Sequence, residues 1–240
     1  MALTPEFLEL AALVRNWGRW GDDDEIGTLN LITPEKVQQA AGLVRHGKVF
    51  PLGVDFGSSG PQGAFHCGID KVDVKGITSR GVLLDLVRHR GAQTFLEHGE
   101  PILPDELDEV ARAQGVSVGS GDVVLIRTGW WDRFLEAGNG TEPYSGLDWR
   151  CASWLHEREV AAVAADNLMV EDPKSGIDGT ILPLHMLCLR DMGMMLGEYW
   201  DLGALAADCA ADGVYEFQLI APPLRVTGAV GSPVNPIAIK

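Results

Sequence analysis

Three apolar runs of strand length constrain this chain more than anything else in it. "RGVLLDLVRH" (80–89), "GDVVLIRTGWW" (121–131) and "VAAVAADN" (160–167) are nearly unbroken in hydrophobic residues over their centres. Such runs, following a glycine or a charged residue, have the pattern of buried strands. Segments with helical signals separate them. In "TPEKVQQAAGLVRHG" (33–47), Thr33 can cap, Pro34 suits the first turn and Gly47 can end the helix. "PDELDEVARAQG" (104–115) carries acids in its first turn, where they favour the helix dipole. Residues 148–159, 182–193 and 201–213 read as further helices, the last two closed by Gly193 and Gly213. "VYEFQLIAPP" (214–223) alternates like a strand, "KVFPLGVDF" (48–56) looks extended, and the tail "SPVNPIAIK" predicts a last edge strand, where proline is tolerated. Strands alternating with helices give an α/β class, with a mixed central sheet and helices packed around it.

The length of 240 residues and a hydrophobic share of 46% suffice for one domain spanning 1–240 with a well-buried core. A formal net charge of −15 excludes the clustered Lys and Arg of a phosphate-tracking surface, so no nucleic acid is expected as partner. It argues equally against anionic membranes, and no apolar run reaches transmembrane length. The start, "MALTPEFLELAALVRNW", reads as a short amphipathic helix broken by Glu6 and Glu9, not a signal peptide. Cys67, Cys151, Cys188 and Cys209 lie far apart with no C-x-x-C pair, which predicts free thiols in the cytoplasm.

Residues able to carry chemistry are few. "GAFHCGIDKVD" (63–73) packs His66, Cys67, Asp70 and Asp73 into eight residues, dense enough to suggest a metal. Asp166 and Asn167 end a buried strand, a common site position and equally a common turn. His89 falls at another strand end and reads as a surface histidine. Trp130 and Trp131 are candidates for lining an apolar acyl pocket, although paired tryptophans more often serve packing. His185 stands alone among apolar residues in "LPLHMLCL" and needs a polar partner or a metal. No P-loop, dinucleotide fingerprint or G-x-S-x-G elbow is present.

Several blocks, in order along most of the chain, carry a resemblance. "WGDDDEIGTLNLITPEKV", "SRGVLLDLVRH", "GDVVLIRTGW", "VAADN…VE", "PLHMLCLRDMGMMLGEYWDLGALAADCAADGVYEF" and "APPLRVTGAVGSPVNPIAIK" resemble the cyclase family, which includes bacterial kynurenine formamidases and isatin hydrolases. The likeness is closest to its longer bacterial members. It implies a swivelling β/β/α-type fold, assembly into a homo-oligomer, and metal-dependent hydrolysis of small amides. The implied metal is zinc or manganese, held by a motif of the form H-x-G-T-H-x-D-x-P with a further His and Glu. His185 and Glu198 match that distal pair.

The motif itself is where the chain departs from the family. "HCGID" supplies His66 and Gly68, but Ile69, Asp70 and Val72 stand where Thr, the second His and the Asp belong. One reading is an internally shortened chain, with a deletion junction near 63–70 and an irregular loop over 57–71. The other is a rewritten ligand set using His66 and Asp70, with Asp73. Two functions follow. The first is an arylformamidase-like hydrolase of amides such as N-formylkynurenine, a step of tryptophan catabolism to kynurenine. The second is a metal-free relative that binds or scaffolds, or catalyses without a metal.

Overall fold

The computed structural model describes residues 3–46, 49–51, 67–68, 72, 77–97, 100–138, 145–224 and 230–240. Its strands are β1 (Val49–Pro51), β2 (Cys67–Gly68), β3 (Thr78–Asp85), β4 (Val123–Arg127), β5 (Ala162–Ala165), β6 (Met195–Gly197), β7 (Glu216–Ile220), β8 (Val230–Gly231) and β9 (Ile237–Ile239). Seven of them form one sheet in the order β1-β9-β7-β3-β4-β5-β6. Strands β3, β4, β5 and β6 run parallel, while β7 pairs antiparallel with β3 and β9, and β1 antiparallel with β9. The expected mixed α/β sheet is therefore present.

The apolar runs are continuous because the sheet is covered on both sides. Val82, Leu84, Val124, Ile126, Val163 and Ala165 face one buried cluster, which holds Phe7, Leu107, Trp154 and Leu187. Leu83, Val123, Leu125 and Ala164 face a second cluster with Leu29, Leu205, Cys209 and Phe217. Alternate residues of one strand thus meet different helices, and none meets water. Gly81 sits inside β3 because a Cβ there would lie 2.3 Å from the Phe217 ring. Among the described residues no helix is long and apolar enough to cross a membrane.

Four local expectations need correction. The tail strand β9 lies between β1 and β7, because the short segment at 49–51 pairs onto its outer side. Part of the expected 57–71 loop is extended: Cys67–Gly68 pairs antiparallel with Val230–Gly231. Residues 182–193 are not one α-helix but a single turn, Pro183–His185, followed by a π-helix, Met186–Met192. His89 lies in a helical turn, Leu86–His89, rather than at a strand end; it is exposed, 3.8 Å from Glu109.

At the amino end of the parallel strands a buried ion cluster joins the layers. Asp122 is fully buried just before β4, and its carboxylate accepts from Arg80 Nε at 2.9 Å, Lys36 Nζ at 2.8 Å and the Gly119 N–H at 2.8 Å. Arg80 also reaches Glu216 at 2.7 Å and the Ser117 carbonyl at 2.6 Å. Removing Asp122 takes from Arg80 and Lys36 the buried carboxylate they share. Asp122→Ala is expected to cost about 3–5 kcal/mol, measured as a lower urea midpoint with an unchanged slope; an unaltered midpoint would contradict this account of the cluster.

Candidate active site

The opposite, carboxyl end of the parallel strands carries the second group of buried polar side chains. This is the edge where open α/β sheets commonly place their ligands. After β5 the chain turns through Asp166 and Asn167, both buried. Asp166 accepts from the Thr128 N–H at 2.8 Å, the Thr128 hydroxyl at 2.6 Å and the Gly129 N–H at 2.6 Å. Those bonds fix the turn between β4 and the helix Trp130–Ala137. Burial dominates its acidity and lifts the Asp166 carboxyl to about 6, against the opposing pull of these hydrogen bonds. With all its contacts made inward, Asp166 is a structural clamp.

Asn167 holds two loops. Its side-chain oxygen accepts from the Val170 N–H at 2.7 Å, its amide donates to the Ser145 carbonyl at 2.9 Å, and its own carbonyl accepts from the Tyr199 N–H at 3.1 Å. Val170 and Tyr199 both have left-handed backbones, φ 60° and 59°. For a β-branched valine that conformation is strained. The Glu171 N–H bonds back to the Met169 carbonyl, closing a γ-turn of the rare positive-φ kind around Val170. Each strained residue adjoins a carboxylate, Glu171 after Val170 and Glu198 before Tyr199.

Those two carboxylates flank His185. Nδ1 of the ring lies 2.5 Å from Glu171 Oε2, and Nε2 lies 3.4 Å from Glu198 Oε1. Glu171 is fully buried, the His185 side chain is 17% exposed and that of Glu198 31%, so the row runs from the interior to the surface. Burial alone would depress the imidazolium; hydrogen bonds and charge from Glu171 and Glu198 outweigh it and raise His185 to about 9. Tyr199 is pushed up to about 12 by burial and by the charge of Glu198.

The structure thus brings His185 and Glu198 together. Glu171 was not named as a site residue from the sequence, although it closes the block "VAADN…VE" that resembles the family and ends the apolar stretch "LMVE". A carboxylate closing such a run just beyond a strand end was the available signal. Trp130 and Trp131 are 6% and 8% exposed and pack with Phe134 and with Tyr199, the residue that follows Glu198, in an aromatic cluster. His66, Asp70 and Asp73 lie outside the described residues. As a metal site the described donors fall short. His185 Nε2 and Glu198 are suitable in kind, but two donors do not complete a four-coordinate shell. Among the described residues no group of three or more His, Cys, Asp or Glu side chains is arranged to hold a metal.

Two measurements check this geometry. Asn167→Ala strands the Val170 N–H and the Ser145 carbonyl, and each buried unpaired group is expected to cost about 1–3 kcal/mol, read by chemical denaturation. In the metal-free protein, the stability contributed by His185 is full below its ordinary value of 6.5 and is lost as pH rises through about 9. A His185→Gln variant should therefore differ from wild type most below pH 6.5 and least above 9; a difference that grows with pH would refute the paired imidazolium.

A structure described as a novel cyclase superposes with a TM-score of 0.82 at 29% identity, covering 95% of this chain and 100% of that one. Isatin hydrolase A from Ralstonia solanacearum superposes at 0.59 with 17% identity, covering 85% and 96%. An isatin hydrolase bound to the product analogue thioisatinate gives 0.55 at 19% identity, covering 81% and 82%. No curated protein matches the chain. The profile of the family described as "Putative cyclase" matches residues 31–172, more than half of the sequence, and the chain belongs to that family.

Proposed function

We propose that the protein hydrolyses small amides whose nitrogen is borne by an aromatic ring, such as N-formylkynurenine or the cyclic amide isatin. The observation that carries this reading is the row Glu171–His185–Glu198 at the carboxyl edge of the sheet, with Nε2 and a partly exposed carboxylate at its outer end. Similarity to the isatin hydrolases and the resemblance to kynurenine formamidases support the substrate class.

The chemistry needs one proton removed and one supplied. In this reading Glu198 takes a proton from the attacking water as the water oxygen bonds to the acyl carbon. His185, raised to about 9, is protonated at neutral pH and can give the Nε2 proton to the departing nitrogen as the C–N bond breaks. Passage of the proton from Glu198 to His185 across their 3.4 Å contact restores the starting state. The aromatic cluster of Trp130, Trp131 and Tyr199 includes the residue that follows Glu198 and is of a kind suited to an aryl group.

A second reading is a non-hydrolytic binding protein. It is favoured by one observation: both ring nitrogens of His185 already have carboxylate partners. Turnover of N-formylkynurenine and isatin, with zinc or manganese added and with chelator, separates the two. The expected result is hydrolysis that falls by roughly 10²–10⁴ in His185→Ala, the range for loss of a general acid or base. No turnover of either compound under any of these conditions would reject the hydrolase reading.

A further inference from the structure

Glu171 has no part in the proton steps above, yet it is the most constrained member of the row. Its carboxylate is fully buried and makes three contacts within one turn of chain. Oε1 accepts from the Leu184 N–H at 3.1 Å, while Oε2 accepts from the His185 N–H at 2.9 Å and meets the His185 ring at Nδ1. Backbone N–H groups only donate, so an acceptor-only carboxylate suits all three contacts when the ring proton sits on Nδ1. One oxygen gripping both the backbone N–H and the ring of the same residue also fixes the side-chain torsions of His185. The Glu171 backbone cannot drift. The Val170 γ-turn precedes it, Leu147 bonds to the carbonyl of Val170 and to the N–H of Asp172, and a Cβ on Gly146 would lie 2.5 Å from the Glu171 carbonyl carbon.

We propose that Glu171 is a positioning residue: it keeps a proton on Nδ1 of His185 and holds the ring in one plane, so that Nε2 is the nitrogen that exchanges a proton or lone pair at the site. Such a carboxylate behind an imidazole fixes the tautomer and raises the basicity of the outer nitrogen. The role in turnover rests on the hydrolase reading; the placement of the proton does not.

Isotope-labelled histidine in the full chain tests it by nuclear magnetic resonance. Wild-type protein should show one slowly exchanging imidazole N–H on Nδ1, assigned to His185 by its loss in His185→Gln. The signal should persist in Glu198→Gln and disappear in Glu171→Gln. Under alkaline conditions, where the ring becomes neutral, the remaining proton should be on Nδ1. That measurement does not use Glu171→Gln and decides the matter even if that variant does not fold. In turnover of N-formylkynurenine, Glu171→Gln should lower kcat roughly 10–100-fold with KM within about twofold. A neutral wild-type ring protonated on Nε2, an Nδ1 signal unaltered in Glu171→Gln, or a wild-type kcat in that variant would each overturn the proposal. If wild-type protein turns over no substrate, the hydrolase reading fails while the spectra still judge Glu171.

Discussion

The buried residue Asn167 is what the geometry of the site depends on. Through two side-chain bonds and one backbone bond it joins the end of β5 to the segment at Ser145, to the turn before Glu171 and to the turn after Glu198. Inside a protein such bonds strengthen electrostatically, and leaving one unmade costs more than making it gains. This asymmetry explains how two left-handed, non-glycine residues persist at Val170 and Tyr199. The strain is tolerated because relaxing either turn would strip a buried polar group of its partner. The two carboxylates around His185 are held by backbone geometry fixed elsewhere, not by their attraction to the ring alone.

The two ends of the parallel strands use buried charge differently. At the amino end, Asp122 is enclosed by Arg80, Lys36 and a backbone N–H, and Arg80 is itself shared with Glu216 and a carbonyl. Every charge there has a partner of opposite sign, from the buried Asp122 to the partly exposed Glu216, which suits a joint between layers. At the carboxyl end the row of charge likewise reaches solvent on one side. Exposure rises from Glu171 through His185 to Glu198, and the middle of the row is an imidazole. Guanidinium and ammonium groups keep their protons, whereas an imidazole between two carboxylates can exchange one.

How much of this was legible in the sequence follows from which forces are local. The central strands within the runs 80–89, 121–131 and 160–167 could be read because burial on both faces writes itself as an unbroken apolar run, and two of the main helices because their caps and first turns are local signals. His185 and Glu198 could be paired through resemblance, and Asp166 and Asn167 through their place at a strand end. The π-helix at 186–192 could not be read: its apolar residues look helical, and the change from four to five residues between bonded groups leaves no mark on their spacing. The interior position of β9 depends on β1 closing over it from nearly two hundred residues away. Glu171 was hidden for the same reason, since its partner lies 14 residues on and only the Val170 turn aims it there.

The π-helix also explains what the N-terminal part of the chain does for the site. It starts directly after His185, and the carbonyls at its end need donors from outside. They find them in residues 16–28. The Trp17 indole donates to the Arg190 carbonyl at 3.0 Å, the Asn16 backbone to Asp191 at 2.9 Å, the Asn16 amide to Met192 at 3.2 Å, and the Thr28 N–H to Gly193 at 3.1 Å. Gly27 and Gly193 allow this approach, because a Cβ on Gly27 would stand 2.1 Å from the Gly193 carbonyl oxygen. Four successive carbonyls are thus satisfied by a segment far away in sequence. A widened helix, less favourable than an α-helix by itself, is pinned at its far end by the N-terminal segment and at its near end by Glu171 on Leu184 and His185. His185 sits at the junction of those two restraints, so its ring is located by segments that begin at residue 16 and at residue 171, neither of which lies near it in the chain.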